Sequence, residues 1–341
     1  MTSRKKYALI ATLIGLPVVF FIASICIGRF EVTPADVLKS LWSGLTGIDT
    51  GVDERTRTVV LAIRLPRSFH GMLVGASLAA SGAAFQSVFR NPLVSSGMLG
   101  VSGGAGFGAA LSIVLFGTIY LTPFFAFGFG VLAVVLSYFV GKAGGGISTS
   151  SVTLILGGTI IQSIFNALLS LIRYIAIDDV LLPTITFWLM GSLASTRSED
   201  IFLAGIPMVL GMTGLLFFRW RLDLLSMGDR EAQTLGINVR TNKIAVIAFA
   251  TLATAGAVSV SGIIGWIGLV VPHIGRMLMG NNNRWLMPAS ISIGACFMLL
   301  LDTICRTITG AELPLGIVTA IVGGPFFIYL LKKTKGSRWA T

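Results

Sequence analysis

The chain has 341 residues, of which 54% are hydrophobic and only 11% charged, with a mean hydropathy of +0.88. One soluble core cannot bury that much apolar surface, so a water-soluble globular enzyme is excluded and lipid is the consistent solvent. The net charge of +11 arises from 25 Lys and Arg scattered among the loops between apolar runs, which speaks for membrane topology and against nucleic acid as a partner.

A crossing takes roughly 20 apolar residues. Apolar runs bounded by charges or Gly/Pro predict about ten transmembrane helices, at 7–28, 67–88, 97–116, 122–141, 152–173, 201–218, 243–260, 263–279, 286–305 and 314–331. Together they make one all-α membrane domain over 1–341 with no room for a separate soluble one. The first run follows Arg4, Lys5 and Lys6 as a signal peptide would, but it is too long, and Ile25 before Cys26 does not suit lipoprotein processing. It reads as the first membrane helix. Next, Thr33-Pro34-Ala35-Asp36 with Val37, Leu38, Leu41 and Trp42 predicts a capped amphipathic helix near 33–45 on the outer surface. The second and third spans carry Gly71, Gly75, Ala79 and Ala83, then Gly100, Gly104 and Gly108, at four-residue spacing. Such stripes let helix backbones approach closely. Gly104, Gly106 and Ala109 match a dinucleotide fingerprint but lie inside a membrane helix with no preceding strand, so no such site is read there. The stretch 184–195 is too short to span and reads as an interfacial or re-entrant half-helix. Cys26, Cys296 and Cys305 fall in spans without metal-ligand spacing and are expected as buried thiols.

With the N-terminus inside, most basic residues fall on the inner side, beside only Asp223, Asp229 and Glu231 among the acidic ones. The Lys/Arg excess places both termini in the cytoplasm.

The longest inner loop is predicted from about Arg219 to Asn242. In it Asp229 can cap a short helix reaching Leu235, and Gly236 can supply the left-handed C-terminal turn. This is either a solvated connector or a docking element for a cytoplasmic partner. On the outer face stand Arg64-Leu65-Pro66-Arg67, Arg55 and Arg57 upstream, and Arg306 at the end of the ninth span. Each alone is an interface anchor, and together they form a candidate docking surface for an acidic partner. The clearest polar residues within the spans are Gln86, Gln162, Asn166 and His273, the last a helix-kink residue after Pro272, while Asp302 sits one turn before Arg306 and is expected to pair with it. No carboxylate falls at mid-membrane, which counts against a proton- or sodium-coupled carrier. Gly141-Lys142 has Leu136 where a P-loop needs its first glycine, so any ATP-driven step requires another chain.

Several motifs in order carry a resemblance that covers nearly the whole chain. They are Arg64-Leu-Pro-Arg67, Asn91-Pro-Leu93 leading to Gly97–Gly106, Ala232-x-x-Leu235-Gly236-x-x-Val239, Gly262–Arg276 with its Pro272-His273, and Glu312-Leu-Pro-Leu-Gly316 with Gly323-Gly-Pro325. The chain resembles the iron-chelate permeases (FecCD type) of type II ABC importers, which include the membrane subunits of vitamin B12 and haem importers. The resemblance implies a ten-helix transport subunit of a bacterial or archaeal inner or plasma membrane, itself no enzyme and binding no cofactor. It implies pairing with a second permease copy or close relative, a translocation path between the two, two ATPase subunits that carry ATP and Mg, and an extracytoplasmic binding protein. By the same resemblance Gly228, Asp229, Arg230, Glu231, Ala232, Leu235, Gly236 and Val239 belong to the helix that couples to the ATPase. Arg64, Arg67 and Arg306 would meet carboxylates of the binding protein. Asn91 and Leu93, with Ser150 and Ser151 at the start of the fifth span, would form the cytoplasmic gate. The expected cargo is a ferric siderophore or related iron chelate. Haem, cobalamin or an oxyanion is the alternative within the family, and a secondary carrier the alternative outside it.

Overall fold

The computed structural model describes residues 3–143, 151–176, 179–194, 196 and 198–334. Every element among them is helical: α1 (Ser3–Cys26), α2 (Pro34–Thr46), α3 (Glu54–Thr58), a π-helical turn (Val59–Arg64), α4 (Leu65–Val88), α5 (Val101–Phe116), α6 (Thr122–Ala143), α7 (Ser151–Ile175), α8 (Leu181–Met190), α9 (Ser198–Met227), α10 (Asp229–Thr234), α11 (Val239–Ser261), α12 (Ile267–Met279), α13 (Asn283–Thr307) and α14 (Leu315–Thr334). Each of the ten expected spans coincides with one of these helices. Seven helical stretches among the described residues are long and apolar enough to cross a membrane, and the shorter apolar α5, α12 and α14 occupy the remaining expected positions.

α4 is the hub of the bundle. It packs against α13, α9, α11, α12 and α1, and the apolar 18-residue window of its span is 94% buried at a mean hydropathy of only 1.3, whereas that of α1 is 11% buried at 2.6. Lipid-facing helices need apolar side chains, but a helix surrounded by helices needs small ones. The glycine stripe supplies them: a Cβ on Gly75 would stand 2.2 Å from the carbonyl oxygen of Gly294 in α13, and one on Gly82 would collide with that of Gly268 in α12. In the same way Gly104 and Gly108 let α5 lie against the α6 carbonyls of Phe129 and Phe125.

Three boundaries differ from expectation. The second span does not begin at Arg67, because α3, the π turn and α4 run continuously from Glu54. Pro66 cannot donate to the helical ladder, and the wider π turn directly before it accommodates the ring. The inner loop is also much shorter than 219–242. From Arg219 onward α9 meets no Gly or Pro until Gly228 and so carries Arg219 and Arg221 in its last turns, leaving only 228–238 between α9 and α11. The half-helix, α8, lies slightly earlier than 184–195, and Gly191 ends it at φ 74°. The irregular backbone after α8 is satisfied by protein: Ser192 N–H donates to Ser261 (2.8 Å) and Leu315 N–H to Gly191 (2.9 Å), as non-helical chain at membrane depth requires. The outer helix α2 forms as expected. The Thr33 hydroxyl accepts from the Asp36 N–H, Pro34 holds the first helical position and Gly47 closes the helix at φ 73°.

Candidate functional site: two polar ends and a polar face

Polar clusters sit at the two ends of α4. From Arg67 to Gln86 the helix rises roughly 28 Å at 1.5 Å per residue, close to the hydrocarbon thickness of about 30 Å, so the clusters mark the two membrane surfaces.

At one end the Arg67 guanidinium is buried against α13. It donates to Asp302 through Nη2 (2.8 Å) and Nε (3.0 Å), and through Nη1 to Glu312 (2.9 Å). Asp302 does face Arg306, as its spacing suggested, but at 3.6 Å, beyond a good hydrogen bond. Its main partner is Arg67, 235 positions earlier. Arg306 donates instead to the Ser24 carbonyl, and Arg64 to the carbonyls of Ile25 (2.8 Å) and Cys26 (3.1 Å). Arg64, Arg67 and Arg306, the three arginines expected to meet a partner's carboxylates, are all buried in this arrangement. A guanidinium at this depth is costly unless internal acceptors hold it. They fasten α1, α4, α13 and the 308–314 loop together, while Arg55 and Arg57 remain exposed at the same end. Burial raises the Glu312 carboxyl, but the hydrogen bond and charge of Arg67 outweigh it and hold the pKa below its ordinary value.

At the other end stands α10. Its cap is Gly228 (φ 139°), not Asp229. Asp229 is the first helical residue and takes an ion pair from Lys243 of α11 (2.7 Å). Gly236 does adopt the left-handed turn, at φ 82°. Its N–H donates to Gln233 (2.9 Å) and that of Ile237 to Ala232 (3.1 Å), the paired bonds of a Schellman cap. Ala232 is buried and Val239 begins α11, whereas Arg230, Glu231 and Leu235 project outward.

Nearby, the loop after α4 is held by the Asn91 side-chain oxygen accepting from the Leu93 N–H (2.9 Å), with Leu93 exposed. Of the other expected gate residues, Ser150 lies outside the described residues, and Ser151 begins α7 with its side chain outside them.

One feature escaped the sequence reading, which singled out only Asn166 among its members. Thr159, Ser163, Asn166 and Ser170 all lie exposed on α7, a membrane-length apolar helix. Spacings of four, three and four put them on one face, and the hydroxyls of Ser163 and Ser170 back-bond to carbonyls one turn earlier, both at 2.9 Å. Their common spacing was the available signal. The hydroxyls are satisfied within the helix, so the Asn166 amide on this face is what favours a water-filled path or another protein surface over lipid.

The FecCD transport family profile matches residues 16–333. The chain is 38% identical to the molybdate import system permease protein MolB of Haemophilus influenzae, covering 94% of each chain. It is 40% identical to a probable iron chelatin transport system permease protein of Helicobacter pylori, covering 82% of this chain and 83% of that one. Among solved structures, an inward-facing conformation of a metal-chelate type ABC transporter matches with TM-score 0.84 and 35% identity, over 96% of this chain and 99% of the other. The helical bundle, the buried hub and the full-length match agree: the chain belongs to the FecCD transport family and is the membrane permease subunit of a type II ABC importer, with ATP hydrolysis on a separate chain.

Proposed function

We propose that this permease passes an intact iron chelate, a ferric siderophore or a related complex, into the cytoplasm. The observation that carries the reading is the polar face of α7. Hydroxyl and amide groups there can hydrogen-bond to the periphery of a chelate without competing for its metal, and two permease copies facing each other across α7 would enclose that face. The Haemophilus influenzae relative, at 38% identity over 94% of both chains, favours molybdate as the second reading.

The working cycle follows from which groups can move together. Two ATPase subunits grip α10 from the cytoplasmic side through Arg230, Glu231 and Leu235, and both termini lie on that side. The Asp229–Lys243 ion pair and the buried Ala232 tie α10 to its neighbours, so closure of the ATPases displaces α10 as one body with α9 and α11. Those helices pack on α4, whose end carries the Asn91–Leu93 gate loop. Binding and hydrolysis of ATP then shift the population between two arrangements of the path. On the outer face the exposed Arg55 and Arg57 supply charge for the binding protein, while Arg64, Arg67 and Arg306 hold the surface in shape.

The deciding experiment is uptake of ⁵⁵Fe-labelled ferric siderophore against ⁹⁹Mo-molybdate, in cells expressing the permease with its ATPase and binding protein. Iron uptake that needs all three components is the expected result. Molybdate uptake without iron uptake would replace the first reading by the second.

A further inference from the structure

At the end of the bundle that carries α10, the ends of α4, α9, α12 and α13 surround a cavity of about 510 Å³. We propose that this cavity is a binding site for a tetrahedral oxyanion, either free phosphate-like anion or the phosphodiester of an anionic lipid headgroup.

Its walls are cationic and neutral, without a lining carboxylate: Arg90, Arg276 and His273 face it together with Gln86, Asn281 and Asn283. Arg276 stands one turn after His273, on the same side of α12. It is half-buried, and its hydrogen bond among the described residues goes to the side-chain oxygen of Gln86, a neutral acceptor. The ion pairs among the described residues involve Arg67, Lys243 and Arg306. At the opposite end Arg67, equally a guanidinium at a membrane surface, has two carboxylates. Arg276 has five N–H donors to place, and a planar fork of that kind matches two oxygens of a phosphate group.

The second cation is held in place by its backbone. Arg90 has φ 51°, the left-handed region that non-glycine residues seldom occupy and that persists where the surrounding structure over-determines it. The turn is fixed by Asn91 N–H donating to the Gln86 carbonyl (3.2 Å). The remaining walls are also pre-set. The Gln86 amide nitrogen reaches the Leu269 carbonyl (3.4 Å), which leaves the amide oxygen for Arg276. Asn283 is pinned between the Ser87 hydroxyl (2.9 Å) and Asp223 (2.8 Å). Two carboxylates stand behind the walls without lining the cavity: Asp223 accepts twice from Asn283 through one oxygen, and Glu231 flanks Gly228 from beside Arg90. Pre-oriented donors around Arg276, a guanidinium with no carboxylate partner among the described residues, make an anion site. The inner leaflet, moreover, presents phosphate headgroups at this depth.

The test uses the intact permease–ATPase complex in nanodiscs and reads its thermal midpoint. In purely zwitterionic lipid, phosphate is titrated at ionic strength held constant with chloride. In a second arm, phosphatidylglycerol replaces part of the zwitterionic lipid with no phosphate added. Saturable stabilisation in the first arm identifies a free oxyanion, and stabilisation confined to the second identifies the headgroup. In either case Arg276→Gln should abolish the shift and Arg90→Gln should weaken apparent affinity about tenfold, one lost charge-assisted contact of about 1.4 kcal/mol. Arg284→Gln, an exposed cation outside the cavity, should leave it intact. The Arg90 side chain is exposed, so the ligand-free midpoint of that variant should equal wild type and the result stands even if Arg276→Gln folds poorly. No shift in either arm, or an equal shift in wild type and Arg90→Gln, would overturn the site.

Discussion

Asp302 is where one side chain decides the most. It is almost fully buried and answers two guanidinium groups, Arg67 at 2.8 Å and Arg306 at 3.6 Å. Asp302→Asn removes the charge and leaves both cations in place, a loss that costs about 3–5 kcal/mol when a buried pair is broken from one side. Glu312→Gln should cost no more than about 1 kcal/mol, because Glu312 is substantially exposed. Thermal midpoints of the two purified variants in detergent check this ordering, and equal midpoints would remove Asp302 from its central position. Since Arg67 holds the Glu312 pKa below its ordinary value, the stabilisation it contributes is complete above the ordinary carboxylate range and is lost as pH falls through the depressed value. Wild type and Glu312→Gln should therefore differ most near neutrality and converge only in acid below that range. Sequence spacing exposed the Asp302–Arg306 pair because it lies one helical turn apart. The shorter Arg67–Asp302 pair joins two helices 235 positions apart, and no local pattern encodes that contact.

Among the elements, α10 and α4 give the sharpest expectations. Gly236 has open space around its α-carbon yet sits at φ 82°, so substitution there is penalised by backbone conformation alone. A β-branched Val should cost about 1–2 kcal/mol locally and misdirect α10, whereas Asn, which tolerates the left-handed region, should retain function. Reconstituted vesicles should show transport and ATPase coupling lost in Gly236→Val and largely kept in Gly236→Asn. Equal activity of the two would make the cap irrelevant to coupling. In α4 the constraint is space: Gly82→Ala must push its new methyl into the Gly268 carbonyl, whereas Gly128 in α6 has nothing within 4 Å. Overpacking of this kind costs about 1–3 kcal/mol or more, so Gly82→Ala should lower the thermal midpoint and Gly128→Ala should not. Spans, the capped α2 and the Gly236 turn were legible because hydrophobic runs, cap residues and glycine act locally. The extension of α9 to Met227 was not, since its arginines looked like loop charges although nothing in that stretch breaks a helix.

At the scale of the whole molecule, composition announced a membrane protein and the motifs its family, but which helix lies inside was hidden. Hydropathy ranks α1 as the most membrane-like helix, yet α1 is peripheral and the modestly apolar α4 is the hub. A glycine stripe says that something packs closely without saying what. The same limit explains why the polar face of α7 passed unnoticed. Asn166 stood out in the sequence, but Thr159, Ser163 and Ser170 are ordinary residues singly, and only the shared exposure of the four in the folded bundle makes them one face suited to a partner surface or water. If that partner is a second permease copy, the two α7 helices face each other across the path. Cysteines placed at Thr159 or Ser163, with Cys26, Cys296 and Cys305 replaced by Ala, should then cross-link between copies when bridged by a bifunctional reagent. A cysteine at Phe217, 82% exposed on α9, should not, because that apolar surface suits lipid. A bulky Ser163→Trp should obstruct the path and reduce uptake while leaving assembly with the ATPase unchanged. Cross-links at 217 without any at 159 or 163 would place the second copy on a different helix and the path with it.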